Sequence, residues 1–452
     1  MFLIKKYQET LAILANIILY FFIGYDLDRG NFPKLIFLYL SLFIPFLFLI
    51  KRLKDNIPLL VGLSILFRLI FLIAIPNLSQ DFYRFIWDGR MILEGLNPYI
   101  SLPETLIKTE KFPIHQATEL YQGMGELNGS HYTNYPPINQ SNFLLAAVVS
   151  RSNILLAVVT LRAQIILADI GIIYFGKKIL KKLDLPIHHI FLYALNPFVI
   201  IELTGNLHFE PVMLFFLLLS LYFLMQRKWI WAAILLGISV SVKLIPLLFI
   251  PLFYQWFSKK KKVRGFLRWI YFGMIVMLVN IILFLPFFSS DLIHSYSKSI
   301  GLWFRNFEFN GSIYYIFREI GYSFRGWNEI VIIGKIISIL TILFIGVITF
   351  YRKNKSPQQL FSAMLIGISF YYFTSTTIHP WYIATLVLLC VFTKYRYPIV
   401  WSIVIILSYQ AYANIPFKEN LYIVTLEYLI VYGYLIWEIS KSRKHDPLSK
   451  NY

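Results

Sequence analysis

The chain is organised around Gln80-Asp81-Phe82-Tyr83-Arg84-Phe85-Ile86-Trp87-Asp88-Gly89-Arg90, a charged stretch that directly follows the apolar run of residues 57–76. The stretch holds two acids and two arginines, although only 14% of the sequence is charged. In a helix, Asp81, Arg84 and Asp88 would share one face because their spacing is i, i+3 and i+7. Such charges at the end of a membrane helix are costly unless they pair with one another or take part in chemistry.

Two interpretations of the charged stretch are open. Arg84 could form ion pairs with Asp81 and Asp88 and fix the helix at the membrane interface. The sequence that follows favours a functional site. Residues 94–99 end the segment with helix-breaking residues, and residues 131–137 are polar, aromatic and rich in turn formers. Binding and catalytic residues often lie in such loops on a rigid scaffold.

The composition predicts an all-α, polytopic helical membrane protein. Of the 452 residues, 58% are hydrophobic and 18% are aromatic. Apolar runs of about 15–23 residues recur along the chain, and ~20 residues suffice to cross a bilayer as a helix. The predicted helices lie near residues 10–24, 33–50, 57–76, 154–176, 187–204, 206–225, 229–243, 246–257, 266–288, 329–351, 359–377, 380–393, 398–412 and 420–438. The short apolar run 142–150 is predicted to be re-entrant or interfacial.

The positive charge indicates an orientation in the membrane and not nucleic-acid binding. The formal net charge is +19, but Lys and Arg cluster between the apolar runs, as the positive-inside rule predicts for cytoplasmic loops. With the predicted helices, every cluster falls on the cytoplasmic side, and so do both termini. The clusters lie at residues 5–6, 51–54, 177–182, 259–264, 351–355, 394–396 and 441–444. Cys390, the single cysteine, lies in an apolar run, so the sequence has no disulfide framework and no cysteine-based metal site.

The same orientation gathers polar loops on the outer face. We predict one integral-membrane domain, residues 1–452, with a long first outer loop at 77–141. A second outer loop is predicted at 289–328 and a cytoplasmic tail at 441–452. Two further polar turns, residues 204–211 and 376–382, fall on the outer face with Lys243. A face that collects such residues has the character of an active face.

Lys243 and His379 are the clearest candidates for phosphate contacts. Lys243 is a lone lysine between two apolar runs, and it either snorkels to the interface or supplies a cation to a lipid-linked phosphate. Pro246 would break the helix there and shape the mouth of a pocket. The imidazole of His379 can form a hydrogen bond to a phosphate oxygen or donate a proton to it. Trp381 fits an interfacial anchor equally well.

The sequence gives no firm metal site. His208 and Glu210 form a His-x-Glu pair, but two ligands at that spacing are insufficient without a third and a fourth. A polar pair at a helix end is the simpler interpretation. Asp81 and Asp88 could hold a divalent cation through oxygen ligands, although their seven-residue spacing is a weak signal. A divalent cation is therefore possible but not supported, and we assign no metal and no required cofactor.

The motifs resemble those of a known family. Residues 81–90, followed by Gly95-Leu96-Asn97-Pro98-Tyr99, look like the first outer loop of GT-C glycosyltransferases. They are closest to the mannosyltransferase-like branch that uses polyprenyl-phosphate sugars. Tyr135-Pro136-Pro137, Lys243 with Pro246, and His379-Pro380-Trp381-Tyr382 resemble later landmarks of that branch, in the same order. The resemblance spans residues 57 to 385 and implies a fold with about 11–14 membrane helices.

The resemblance also implies a division of roles. In that family an acid at the start of the first outer loop is the general base, and Asp81 holds that position in a catalytic loop at 77–141. Asp88 matches the second acid. Some relatives carry the two acids closer together, as Asp-x-Asp, so metal dependence is not carried over. A positioned carboxylate can accelerate attack by a hydroxyl about 10²–10⁴-fold.

We therefore predict an inverting glycosyltransferase that moves a hexose, mannose first, from a polyprenyl-phosphate donor to a hydroxyl of a glycan, lipid or protein at the outer membrane face. A transporter or flippase of a lipid-linked sugar is the alternative. The predicted location is a bacterial inner or plasma membrane. The predicted catalytic residues are Asp81 and Asp88. Cationic side chains suit the phosphate, and aromatic side chains suit the sugar and the lipid chain. The predicted substrate-binding residues are Tyr83, Arg84, Trp87, Arg90, Tyr99, Tyr135, His208, Glu210, Lys243, His379 and Trp381.

Overall fold

The regular secondary structure is helical throughout the described part of the chain, apart from one bridge between Phe309 and Thr377. The computed structural model describes residues 2–258, 262–305, 307–414 and 416–444. Its helical content confirms the predicted all-α class. Residues 259–261 of one predicted basic cluster, and residues 445–452 of the predicted tail, lie outside the described residues.

Twenty α-helices follow one another through the described ranges. Their bounds are α1 Phe2–Tyr25, α2 Phe32–Arg52, α3 Ile57–Leu69, α4 Asp81–Leu93, α5 Pro103–Lys108, α6 Ala117–Gly129, α7 Pro137–Ser150, α8 Ile154–Lys182, α9 Phe191–Ala194, α10 Glu210–Met225, α11 Trp229–Val240, α12 Tyr254–Phe257, α13 Lys262–Phe284, α14 Leu292–Arg305, α15 Ile313–Arg325, α16 Ile330–Phe350, α17 Pro357–Thr374, α18 Ala384–Cys390, α19 Tyr397–Val404 and α20 Leu421–Lys444. Six 3₁₀ segments lie between them, at Ile187–Ile190, Ile245–Phe249, Pro251–Phe253, Leu285–Phe287, Pro380–Ile383 and Ile405–Ala413. Val199–Gly205 is π-helical.

The helices support a polytopic membrane protein. Six helices of the described chain are long and apolar enough to cross a bilayer, and a seventh span is possible if two segments bent by 57° form one crossing. Six shorter apolar helices accompany them. Helices α13 and α16 expose apolar side chains such as Met277, Ile281, Ile336 and Leu343, which suits a lipid-facing surface. The predicted number of 11–14 crossings stays a prediction.

Several predicted helices end or break where proline or a turn intervenes. The predicted helix 57–76 is wrong at its C-terminal end, because α3 stops at Leu69. The region 246–257 forms two 3₁₀ segments and a single α-helical turn, since Pro246 and Pro251 each remove a backbone donor. The short run 142–150 belongs to a longer helix, α7, whose first residue, Pro137, has a φ angle suited to a helix start.

The loop 77–141, which the sequence predicts to be outer, folds into α4, α5, α6 and the start of α7, and its position depends on close packing of α4 against α7. The Phe85 ring stacks on Phe143 with centroids 4.5 Å apart. A Cβ on Gly89 would lie 2.2 Å from the Phe143 carbonyl oxygen, so the two backbones approach too closely for any side chain there. Gly89 therefore fixes which face of α4 turns towards α7.

The second predicted outer loop, 289–328, packs on the first and on the segment before Pro380. Ser299 donates a hydrogen bond to the Tyr132 carbonyl oxygen at 2.6 Å. The Phe309 amide donates to the Thr376 carbonyl oxygen at 3.1 Å, and the Ile378 amide donates to the Phe309 carbonyl oxygen at 2.8 Å. These contacts hold the two predicted outer loops together.

Candidate active site

The predicted outer loops and the helices next to them line a cavity of about 490 Å³, a volume in the range usual for small-molecule sites. Its wall combines residues of the α1–α2 loop, the first outer loop, the segment before Pro246, and the regions around Pro380 and Tyr412. The charged and histidine side chains on the wall are Arg29, Asp81, Arg84, Glu126, His131, Glu210, Lys243 and His379. The aromatic side chains are Tyr135, Phe307, Tyr371, Tyr372, Trp381, Tyr382 and Tyr412.

Asp81 lies on the cavity wall as the first residue of α4. Asn128 of α6 donates a hydrogen bond to Asp81 Oδ1 at 3.2 Å. Burial raises the pKa of Asp81 above its usual value, and the Asn128 hydrogen bond and the charges of Lys243 and Arg29 oppose this rise without cancelling it. A carboxylate with these surroundings is basic enough to accept a proton and is held towards the cavity.

Asp88 and Arg84 form an ion pair that organises the loop. Arg84 Nε donates to Asp88 Oδ1 at 2.8 Å, and both side chains are buried. Arg84 Nη1 donates to the carbonyl oxygens of Asn128 at 2.6 Å and His131 at 3.0 Å. The other Asp88 oxygen accepts from Gln140 Nε2 at 3.0 Å. Asp88 lies behind the wall, whereas Arg84 lines the cavity and fixes its rim.

Four other predicted substrate-binding residues also lie behind the described wall. Arg90 is buried and donates from Nη1 to the His115 carbonyl oxygen at 2.7 Å. Trp87 is fully buried in the core. Tyr83 packs so closely on Gly123 that an added Cβ there would lie 2.6 Å from its ring. Tyr99 is buried and donates to the Tyr135 carbonyl oxygen at 2.7 Å, so it supports a cavity residue from outside.

Lys243 and Glu210, both predicted from the sequence, meet at the cavity. They form an ion pair between Lys243 Nζ and Glu210 Oε1. Glu210 is buried as the first residue of α10, and Lys243 is partly exposed. Ser241 brings Lys243 to the first outer loop, since its carbonyl oxygen accepts from the Ile138 amide at 3.0 Å. Contacts with α10, through Glu210, and with the start of α7, through Ser241, therefore fix the position of Lys243 at the cavity.

The remaining predicted residues form an aromatic stack. The ring of Trp381 lies 3.7 Å from His208 and 4.6 Å from His379, measured between centroids. Phe309 stacks on His379 at 5.2 Å. His379 and Trp381 line the cavity, whereas His208 lies behind Trp381. Tyr135 also lines the cavity and packs on Phe85.

The histidines of the wall are neutral near pH 7. Burial lowers the pKa of His379 to about 3, and the charges of Lys243 and Arg29 act in the same direction. Burial, with Arg84 nearby, lowers the pKa of His131 to about 4. His379 can therefore donate a hydrogen bond from a neutral ring, but it does not bring the positive charge that its place in the sequence suggested.

Three kinds of residue on or beside the wall are absent from the sequence predictions. Arg29 comes from the short loop between α1 and α2, and its guanidinium carbon lies 3.4 Å from the centroid of the Tyr412 ring. Asn128 positions Asp81 from α6, which is kinked at Gly125 with φ +76°. The tyrosines of α17 and of the region around Tyr412 add hydroxyls. An arginine in a short loop between two apolar runs was the available signal for Arg29.

The described residues contain no group of three His, Cys, Asp or Glu side chains that could hold a metal ion. Asp81 and Glu210 both line the cavity, but Glu210 is already paired with Lys243. The charged groups of the wall thus form a carboxylate beside cations, an arrangement that can bind an anion and accept a proton at neighbouring positions.

The fold and cavity define a multi-pass membrane protein with a carboxylate and several cations facing an aromatic pocket. Residues 39–259 match the MptA_B family, described as "Alpha-(1->6)-mannopyranosyltransferase, N-terminal domain". This match covers just under half of the chain, and it supports the predicted resemblance to mannosyltransferase-like GT-C glycosyltransferases. It supports a glycosyltransferase that acts on mannose. No curated protein sequence matches the chain.

Proposed function

We propose that this protein is an inverting glycosyltransferase that transfers mannose from a polyprenyl-phosphate donor to an acceptor hydroxyl at the outer membrane face. The observation that carries the proposal is the position of Asp81, which faces a cavity also lined by Lys243 and Arg29. Glycosyl transfer from a phosphate needs a base for the acceptor and positive charge for the leaving group. Asp81 and the two cations line the same cavity, which supports a role for it in both parts of the reaction.

The proposed step is a single displacement at the anomeric carbon of the sugar. The acceptor oxygen forms a bond to that carbon, and the bond from the same carbon to the phosphate oxygen breaks. The acceptor proton passes to Asp81, while the bonding electron pair leaves with the polyprenyl phosphate. One displacement inverts the configuration and requires one carboxylate base, so no covalent sugar–enzyme intermediate is needed.

The residues around Asp81 fit the remaining parts of the reaction. Lys243 and Arg84 are the predicted cations that line the cavity, while Arg90 supports the loop from behind. His379 supplies a neutral hydrogen-bond donor. The faces of Trp381 and Tyr135 provide surfaces on which a sugar ring can stack, since the C–H face of a hexose is apolar. Asp88 holds Arg84 and acts on the reaction only through it.

The proposed topology places this cavity on the non-cytoplasmic side of the bacterial inner or plasma membrane. Both termini and the basic clusters, such as residues 177–182 after α8, would lie in the cytoplasm. The donor would enter from the outer leaflet, with its sugar phosphate in the cavity and its polyprenyl chain among lipids. The acceptor is a hydroxyl of a glycan, lipid or protein, and nucleic acid has no part. No metal ion or other cofactor takes part in the proposed step.

The test uses purified protein and a radiolabelled polyprenyl-phosphate mannose, with a lipid and glycan extract as the source of acceptors. Transfer by the wild type should fall at least about 10²-fold in Asp81→Asn, because a positioned general base contributes about 10²–10⁴. The matched control is Asp184→Asn, an exposed acid after α8 whose φ of +53° suits asparagine. Equal activity of wild type and Asp81→Asn would contradict the assignment of the base.

Two further arms separate the reaction from its alternatives. Activity that persists in EDTA and does not rise with added Mg²⁺ or Mn²⁺ is expected from a metal-independent step. Release of polyprenyl phosphate from the donor is expected of an enzyme. Binding of mannose, glucose and galactose donors with no release from any of them, together with their movement across vesicle membranes, would instead indicate a flippase.

A further inference from the structure

We propose that Arg29, stacked on Tyr412, is the residue that binds the phosphate of the donor. The proposal rests on the function proposed above and assigns its anion subsite to a pair of residues that the sequence motifs do not include. The ligand chemistry is a phosphate ester anion at the end of a lipid. Neither Arg29 nor Tyr412 lies in the stretch 39–259 that matches the mannosyltransferase family.

The first step of the argument concerns the charge of the other cations. Lys243 is paired with Glu210, and Arg84 is paired with Asp88 while also donating to two carbonyl oxygens. Each of these pairs has no net charge. Among the described residues of the wall, three Lys or Arg side chains stand beside three Asp or Glu side chains. An incoming anion therefore meets no general excess of positive charge and depends on a cation that is free to bind it.

Unlike Lys243 and Arg84, Arg29 forms no ion pair with a carboxylate of the described residues, so no such partner balances its charge. The two acids of its own loop are engaged elsewhere, since Asp26 pairs with Lys34 at 2.7 Å and Asp28 accepts from the Gly30 amide at 2.7 Å. No carboxylate of the described residues lies within ion-pair distance of Arg29. Its Nε is buried without a hydrogen-bond partner. A guanidinium in this state has donors and charge available for a phosphate.

Tyr412 contacts Arg29 directly, and Asn77 holds the backbone that precedes it. The guanidinium carbon lies 3.4 Å from the centroid of the Tyr412 ring, a cation–π contact that orients the planar group. Asn77 donates hydrogen bonds to the carbonyl oxygens of Ile23 at 2.8 Å and Leu27 at 2.7 Å. Because Asn77 lies just before the charged stretch, these bonds tie the end of α1 to the segment that carries Asp81. Arg29 and Asp81 are thereby fixed relative to each other.

The chemistry of the leaving group requires a cation of this kind. The donor is a phosphodiester with one negative charge, and the product polyprenyl phosphate is a monoester that carries more negative charge. Positive charge near this phosphate stabilises the transition state more than the bound donor. Arg29 is close enough to Asp81 to favour its ionised form. The same guanidinium can therefore act on the base before transfer and on the phosphate during it.

The experiment measures the preference for phosphate in binding, without relying on turnover. Purified wild type, Arg29→Gln and Arg29→Lys are titrated with polyprenyl monophosphate and with the matching polyprenol. Arg29→Gln should weaken binding of the monophosphate about 10- to 100-fold, because charge-assisted hydrogen bonds to a phosphate are lost. Binding of the polyprenol should stay unchanged, which also shows that the variant is folded. Arg29→Lys should lie between the two, since it keeps the charge but loses two-point contact.

The matched control is Arg264→Gln, which changes an exposed arginine near the start of α13 and should bind like the wild type. Competition with inorganic phosphate distinguishes the source of the anion. Displacement of the lipid at millimolar phosphate would show that the subsite accepts free phosphate, and no displacement would show that it needs the lipid ester. Either result supports phosphate binding at Arg29, provided that Arg29→Gln abolishes the preference for polyprenyl monophosphate over polyprenol.

Two outcomes would overturn the proposal, and they differ in what else they remove. If the wild type prefers the monophosphate and Arg29→Gln keeps that preference, Arg29 is not the subsite and the proposed enzyme stands. If the wild type binds monophosphate and polyprenol equally, the subsite and the proposed donor class both fail. Tyr412→Leu adds a check on orientation, because removal of the ring should weaken monophosphate binding and leave polyprenol binding intact.

Discussion

Lys243 and Glu210 form an ion pair at the cavity wall, between the turn that follows α11 and the first turn of α10. Glu210 is buried, so the loss of Lys243 alone would leave a carboxylate without its charged partner. Loss of both charges together removes that penalty. The pair is therefore a structural unit as well as a part of the proposed site.

Lys243→Met should destabilise the protein more than the double variant Lys243→Met/Glu210→Gln. Removal of one partner of a buried pair costs about 3–5 kcal/mol, whereas removal of both is often much less costly. Thermal unfolding in detergent of wild type, the two single variants and the double variant gives the coupling between the two side chains. Additive effects of the two single changes would contradict the importance of the pair for stability.

The acid limb of the pH–activity profile should lie above the range of an ordinary aspartate and should move further up in Arg29→Gln. The pKa of Asp81 is raised by burial, and Arg29 and Lys243 hold it lower than burial alone would. Asp81 acts as a base only when ionised, so activity rises with pH through this pKa. Because loss of the Arg29 charge disfavours the ionised form, the limb moves to higher pH. The measurement is kcat/KM against pH, and Arg264→Gln should leave the limb in place.

Gly89→Ala should disrupt the contact between α4 and α7. Its Cβ would lie 2.2 Å from the carbonyl oxygen of Phe143, so one backbone must shift, and we expect a loss of more than about 2 kcal/mol. Gly62→Ala is the matched control, because nothing lies within 4 Å of a Cβ there and alanine is the better helix former by up to about 1 kcal/mol. Equal melting temperatures for the two variants would contradict the close approach.

Stability should decline as the pH falls from 7 to 5, partly through His379. Its folded pKa of about 3 lies below the unfolded value of 6.5, so the unfolded chain binds more protons in this interval. The stabilisation is complete above about pH 6.5 and decreases as the pH falls towards the folded pKa. For His379 alone the loss at pH 5 is about 2 kcal/mol. His379→Gln should flatten the dependence of the melting temperature on pH, whereas the same change at the exposed His294 should not.

The sequence identified the class of fold because membrane helices carry a strong local signal. An apolar run of sufficient length can be recognised without knowing how the helices pack on one another. The structure retains most of these runs as helices. Helix ends were harder to place, as at Leu69, where a turn interrupts a run that remains apolar. Local hydrophobicity does not distinguish a helix from a turn that is equally apolar.

Side-chain direction within the charged stretch could not be derived from spacing. Asp81, Arg84 and Asp88 share a helical face, as expected, yet only the first two line the cavity. Gly89 sets the close contact with α7, which places Asp88 behind the wall, and this depends on a residue more than fifty positions away. Arg29 was missed for a similar reason, because its relation to the cavity is made by Tyr412 at the far end of the chain.

The pairing of Arg29 with Tyr412 also has a consequence for biosynthesis. Ribosomes add ~5–20 residues per second, so the roughly 330 residues between Asp81 and Tyr412 take on the order of half a minute to make. Throughout that time the earlier helices are already in the membrane, while the aromatic partner of Arg29 has not yet been synthesised. The nascent chain therefore holds an unfinished pocket, and the proposed phosphate subsite is complete only after Tyr412 has been made.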